Sequence, residues 1–240
     1  MRITEGQLRK VIRQTIQENL QQTQTPEFKR WFGNSVIVDS NGDPVRLFHG
    51  SRSVFSVFKP SSFGKYGPGI YLTALKDMAS NYATGRRADV EQEEDRNPSV
   101  YAVYARVVNP LIIAETDRGP VLRTVSGRLS PAHEALQAKV RTTAAAVSYF
   151  SGADSSFSKE VQALGHDGII VDHTGALADP EAAAELAAAG VSALEMSMVE
   201  VVVFSPLQLK SAIGNIGQFD PEDPDITKES RSRVLFRGRR

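Results

Sequence analysis

The run Met198 to Phe204 constrains the fold of this chain more than any other stretch. It is mostly valine, the composition of a strand with neighbours on both sides, so it predicts a central strand of a sheet. Glu200 lies inside it. A carboxylate in such a surround is costly to desolvate unless something pairs with it. Two explanations stand: a structural ion pair with an arginine, or an acid reaching into a cleft.

A second constraint sits near the other end. Val36–Asp39 and Val45–His49 are β-like runs separated by Asn41-Gly42. Both turn residues tolerate positive φ, so the pattern predicts a hairpin with His49 at the end of its second strand. Gly50 follows at once and leaves bare backbone on which a ligand can lie. A lone histidine at a strand end is more often structural than functional, so its neighbours decide the matter.

The remaining elements read in order. Residues 1–24 form a separate amphipathic helix: Thr4 and Gln7 have capping-box spacing, and Leu8, Val11, Ile12, Ile16 and Leu20 share one face. That stripe needs cover. It packs on its own domain or a sister chain, or it serves as a docking or packaging tag for a larger assembly. A polar linker runs from Gln21 to Pro26, and Phe28, Trp31 and Phe32 plug the domain's edge. Residues 59–70, rich in Gly, Ser and Pro, read as a loop that approaches a ligand. Ile70–Leu72 is a short strand and Ala74–Ala83 a helix carrying Tyr82. Tyr71 and Tyr82 are either two walls of a slot or two ordinary core tyrosines.

Residues 85–98 form a charged loop, Val100–Val108 a strand, and Leu111–Ile113 a continuation of the same sheet after Asn109-Pro110. Helices follow over 131–150 and 157–164. Gly165-His166-Asp167-Gly168 then turns the chain into the strand Ile169–Asp172. His166, Asp167, Asp172 and His173 lack fixed ligand spacing, so no metal site is assigned. Residues 179–190 make an Ala/Glu-rich surface helix. Residues 221–240 form a polar tail that ends basic, with six Lys/Arg from Lys228 onward. Such a tail is either solvated or touches nucleic acid. The main domain is therefore placed at residues 25–220.

Composition narrows the function classes. With 28 basic and 28 acidic residues, whole-chain charge predicts no polyanion partner. Zero cysteines exclude disulfides, thiolate zinc sites and a cysteine nucleophile, and fit a reducing compartment. No apolar run approaches the roughly 20 residues needed to cross a bilayer. The N-terminus lacks a signal peptide's apolar stretch. The expectation is a soluble, non-exported protein with no membrane partner.

In combination the motifs resemble the His–Tyr–Glu class of ADP-ribosyltransferases, which contains diphtheria-type toxins and poly(ADP-ribose) polymerases. Leu47-Phe48-His49-Gly50-Ser51 is similar to the first motif of that class. Gly69-Ile70-Tyr71, with Tyr82 eleven residues on, is similar to the second, and Glu200 through Gln208 to the third. Trp31-Phe32-Gly33, Gly165–Gly168 and the segment Gln208–Asp220 resemble features of phage-encoded and polymorphic-toxin members. The resemblance covers about residues 26–226.

It implies an α+β fold: a split, curved pair of β-sheets with flanking helices and an NAD cleft between them. It also implies roles. His49 bonds a ribose hydroxyl of NAD, the Gly50 backbone pairs with the nicotinamide amide, and Tyr71 and Tyr82 sandwich the nicotinamide ring. Glu200 bonds the 2′-hydroxyl of the nicotinamide ribose, and Ser51 and Gly69 complete the NAD-binding motifs. Glu200, His49 and Tyr71 are then the catalytic set, with NAD as substrate and no metal.

The chemistry fits those residue types. Breaking the nicotinamide C–N bond places oxocarbenium-like charge on the ribose, which a fixed carboxylate stabilises. Aromatic rings hold the cationic pyridinium. In the polymerase branch a serine commonly lies eight residues after the tyrosine. Here Ala79 takes its place, which favours the toxin-like branch and transfer of single units.

The expected activity is mono-ADP-ribosylation of a host macromolecule. Protein is favoured as acceptor and nucleic acid stays open. The expected location is the host-cell cytoplasm, with carriage in a phage particle and the N-terminal helix as the docking element. Two alternatives stand beside it: an NAD glycohydrolase, with water as acceptor, and an inactive domain of this fold serving as a virion or interaction module. The last predicts a missing motif residue, whereas His49, Tyr71 and Glu200 are all present.

Overall fold

The computed structural model describes residues 22–62, 64–85, 97–141, 157–173, 180–189, 200–213, 215 and 219–226. Most of the N-terminal helix, the second half of the helix expected over 131–150, most of the charged loop 85–98 and the basic tail lie outside these residues.

Thr25 caps the first described helix, α1 (Pro26–Phe32), by accepting from the Phe28 N–H, and Pro26 fits its first turn. The helix buries Phe28, Trp31 and Phe32. Phe28 stacks on Phe32 at 5.1 Å and meets Tyr104 and Phe219 edge-on at 5.1 and 4.9 Å. These aromatics do plug an edge, and they draw in the C-terminal segment through Phe219. The stretch read as a linker rests on the domain: Gln22 and Thr23 are buried, and the Gln22 amide donates to the Ser211 carbonyl at 3.0 Å. Packing also continues past residue 220. Asp225 bridges Val57, Ile226 N–H donates to the Ser56 carbonyl, and buried Lys210 donates to the Asp223 carbonyl.

Among the described residues, eight strands form two sheets. The smaller has the order β1 (Leu47–Ser51), β3 (Ser99–Ala105), β8 (Leu209–Ser211). The larger runs β2 (Ile70–Leu72), β7 (Glu200–Val203), β6 (Gly168–Asp172), β4 (Pro110–Ala114), β5 (Val121–Thr124). The pairings are antiparallel except β4 with β6. Two expectations change here. The Asn41-Gly42 turn exists, with Gly42 at φ 84° and a bridge between Val38 and Pro44. Yet β1 pairs along its length with β3, not with the Val36 run, so His49 is mid-strand opposite Tyr101. β4 does not continue the sheet of β3: the chain crosses to the other sheet over residues 106–109.

The valine run is internal, as its composition requires. Val201 and Val203 enter the core between the sheets, with Leu47, Val103, Ile170 and Leu209. Val202 enters a second core on the outer face of the larger sheet. Helices α3 (Pro131–Lys139) and α4 (Phe157–Ala163) cover that face through Leu136, Phe157 and Val161. Helix α2 (Lys76–Thr84) lies against β1, and α5 (Pro180–Ala188) covers residues read as a surface helix.

The sheets are pinned where β1 meets β2. Phe48 N–H donates to the Thr73 carbonyl at 2.7 Å, and Thr73 N–H donates back to Phe48 at 2.9 Å. Gln208 ties them a second time. Its side-chain Oε1 accepts from the Phe204 and Ser205 N–H groups, and its side-chain Nε2 donates to the Arg106 and Asp167 carbonyls at 3.1 and 2.8 Å.

Candidate active site

Beside the β1–β2 crossing lies a cavity of about 600 Å³. His49 and Gly50 reach it from β1, Gly69 and Tyr71 from β2 and the turn before it, Tyr82 from α2, and Glu200 from the start of β7. Three strands of two sheets thus deliver residues that lie up to 151 positions apart.

His49 is held by its backbone surroundings. Its Nδ1 lies 2.8 Å from the Tyr71 carbonyl. A carbonyl only accepts, so Nδ1 carries the proton and Nε2 of the neutral ring presents a lone pair. Burial pushes the imidazole below its ordinary value, against the raising effect of the Tyr71 bond. Phe58 meets the ring edge-on at 5.1 Å, and Tyr101 and Phe55 close the same side. The site therefore holds an oriented, neutral acceptor suited to a hydroxyl.

Tyr71 is equally fixed. Its hydroxyl donates to the Gly67 carbonyl at 2.7 Å and accepts from the Tyr66 N–H at 3.0 Å. Burial pushes this phenol up to about 12. Gly64 lies against the ring: a Cβ there would sit 2.1 Å from the hydroxyl oxygen. The loop 59–69 is pinned at its base, where Ser61 and Gly69 exchange backbone hydrogen bonds of 2.8 and 3.1 Å. Tyr82 is 69% exposed and stands at the mouth of the cavity. Tyr71 is tied down through its hydroxyl, whereas the Tyr82 ring stands largely exposed.

Gly50 lines the cavity and also serves the packing of a helix. A Cβ there would lie 1.9 Å from the Ala79 carbonyl oxygen and 2.9 Å from the Ala83 nitrogen. The glycine lets α2 rest on β1, with Ala79 and Ala83 buried at the seam. Ser51 is not part of the cavity lining. Its hydroxyl accepts from the Ser53 N–H at 3.1 Å and shapes the loop after β1.

Glu200 pairs with Val171 across β7 and β6. It shares the face of Val202, and Val202 in turn lies opposite Tyr71. Burial raises the Glu200 carboxyl; Lys65 and His173 oppose that rise, and Glu115 adds to it. The arginine partner considered for Glu200 is replaced by a histidine: His173 Nε2 lies 3.5 Å from its carboxylate.

His173 and Lys65 line the cavity and were not among the candidates from sequence. His173 was weighed only as a metal ligand. Its position becomes informative once β6 is known to lie beside β7. Lys65 stands in the loop already read as facing a ligand. The other residues weighed with His173 are structural. Asp167 accepts from the Val108 and Asn109 N–H groups at 2.7 and 2.8 Å, and His166 bonds His133 and the Asn109 carbonyl. Among the described residues no group of three His, Asp or Glu is placed to hold a metal, and no helix is long and apolar enough to cross a membrane.

No curated protein and no solved structure matches the chain. A family model described as ADP-ribosyltransferase in polyvalent proteins matches residues 39–219, a span that contains both sheets and every residue of the cavity. With that match over an α+β fold of a three-stranded and a five-stranded sheet, the chain belongs to the ADP-ribosyltransferase family of polyvalent proteins.

Proposed function

We propose that the chain cleaves NAD at the nicotinamide–ribose bond and transfers single ADP-ribose units to a protein acceptor. The observation that carries this reading is the convergence of His49, Tyr71 and Glu200 on one cavity. The neutral His49 ring accepts from a ribose hydroxyl. The fixed Tyr71 ring and the exposed Tyr82 ring take the two faces of the nicotinamide. Glu200 accepts from the 2′-hydroxyl of the nicotinamide ribose, beside the carbon that turns cationic.

The C–N bond breaks with its electron pair leaving on nicotinamide, which becomes neutral. A lone pair of the acceptor then forms the new bond to that carbon, and the acceptor's proton passes to solvent. Stabilisation of the charged ribose by Glu200 is worth most as the bond breaks, because the carboxylate is already in place and partly desolvated.

The test is incubation of the purified chain with NAD labelled in its adenylate half, together with a cell lysate. A labelled protein band is expected, weaker by about 100- to 1000-fold in Glu200→Gln. Free ADP-ribose without a band would assign the chain to NAD hydrolysis. Intact NAD in the wild type would leave the inactive-module reading.

A further inference from the structure

We propose that His173, held by Glu115, is a positioning residue that keeps the Glu200 carboxylate ionised beside the cavity; this rests on the NAD-cleaving reading above. Three side chains from separate elements form a line. His173 Nδ1 lies 2.8 Å from Glu115 Oε2, and His173 Nε2 lies 3.5 Å from Glu200 Oε2. Lys65 Nζ closes the far end at 3.3 Å from Glu115 Oε1.

The logic is one of proton count. A histidine between two carboxylates satisfies both only as imidazolium, with an N–H toward each. The short bond to Glu115 fixes the proton on Nδ1. The remaining proton therefore belongs to the His173–Glu200 pair. Either it sits on Nε2 and Glu200 is charged, or it sits on Glu200 and the ring is neutral.

Glu115 favours the first arrangement. Burial acts to raise the Glu115 carboxyl, but the His173 bond and the Lys65 charge outweigh it and hold it below the ordinary range. Glu115 accepts from the Nδ1–H and turns Nε2 toward Glu200, as an orienting carboxylate does behind a histidine. Contact with Glu200 at 3.5 Å is long for a hydrogen bond. It acts through charge, engages Oε2, and leaves Oε1 for a substrate hydroxyl.

Other titratable groups lie around the pair. Lys65 comes from the loop before β2. Tyr66 and Tyr71 are both raised by burial. His49, from β1, is lowered by burial. Asp172 precedes His173 on β6 and belongs by strand alternation to the opposite face.

The experiment follows kcat and kcat/KM for NAD cleavage against pH in the wild type, His173→Gln, Glu115→Gln and His173→Lys. The expected result in His173→Gln is an acid limb moved about one unit to higher pH, with a loss that approaches about tenfold on the acid side of both midpoints and vanishes in alkali. Glu115→Gln moves the limb the same way by less, and His173→Lys restores it.

A substrate-free readout accompanies this. Carbon-13 NMR of labelled glutamate carboxyls, with Glu200 assigned by its loss in Glu200→Gln, is expected to show the Glu200 midpoint rising in His173→Gln. An acid limb and a carboxyl midpoint that both stay in place, whatever the amplitude, would overturn the proposal. If wild-type chain leaves NAD intact, the NAD reading falls and the catalytic part of this proposal falls with it. The carboxyl titration then decides the coupling by itself.

Discussion

Gly50 shows how one missing methyl shapes the site. The 1.9 Å separation between a hypothetical Cβ and the Ala79 carbonyl oxygen is far inside van der Waals contact. Gly50→Ala must therefore push α2 off β1, and with it Tyr82. The expected outcome is a loss of roughly 1–3 kcal/mol of stability in urea denaturation, with a raised KM for NAD from the displaced ring. At this scale His49, Tyr71 and Glu200 stood out from sequence because each sits in a short motif of fixed spacing. His173 did not. Its partners Glu115 and Glu200 are 58 and 27 positions away, and only the pairing of β6 with β7 brings it beside Glu200. Gly50 was noticed for the bare backbone it offers a ligand; the same missing Cβ also seats a helix, which local sequence does not show.

Among the elements, α3 is held by a chain of hydrogen bonds that has one consistent direction. The Asn109 carbonyl accepts from His166 Nδ1, so His166 Nε2 must accept from His133 Nε2 at 2.8 Å. His133 Nδ1 then accepts from Ser130, the cap of the helix. In this arrangement His166 Nε2 is the acceptor, and a proton added there breaks the contact between the rings. Burial pushes the His166 imidazole below its ordinary value of 6.5, with the Asn109 bond opposing and the neighbouring His133 assisting.

The sign of the linkage follows. Below about pH 6.5 the unfolded chain takes up a proton that the folded chain refuses, so stability is full above that pH and declines as pH falls toward the lowered native value. Urea denaturation is expected to lose on the order of 1 kcal/mol between pH 7.5 and 5.5, and His166→Asn is expected to flatten that slope. Local signals predicted this helix start correctly, because Ser130-Pro131 is a cap and a first turn in any context. The Asn41-Gly42 turn was equally local and equally correct. The partner of β1 was not, because β3 lies some fifty residues further on and pairing over that distance is set by packing.

For the molecule as a whole, the two sheets are joined beside the cavity by few bonds. Phe48 and Thr73 exchange a pair of backbone hydrogen bonds, and His49 adds its side-chain bond to Tyr71. A net contribution near 1 kcal/mol for that third bond predicts that His49→Ala speeds amide exchange at Phe48 and Thr73 by several-fold. Exchange at Val201–Val203 should be unchanged, since those amides lie between β2 and β6. A mass-resolved exchange experiment separates the two segments. The α+β class and the internal valine strand followed from sequence. The crossing of the chain between sheets after β3 did not, because Asn109-Pro110 interrupts two strands identically whether or not they share a sheet.

The place of β7 carries a consequence for how the protein is made. It is inserted between β2 and β6, both of which precede it in the chain. A ribosome therefore releases every other wall of the cavity before it releases Glu200. Under the role proposed for Glu200, a chain stopped before β7 lacks that carboxylate, and the expected outcome is that a chain ending at residue 199 leaves NAD intact.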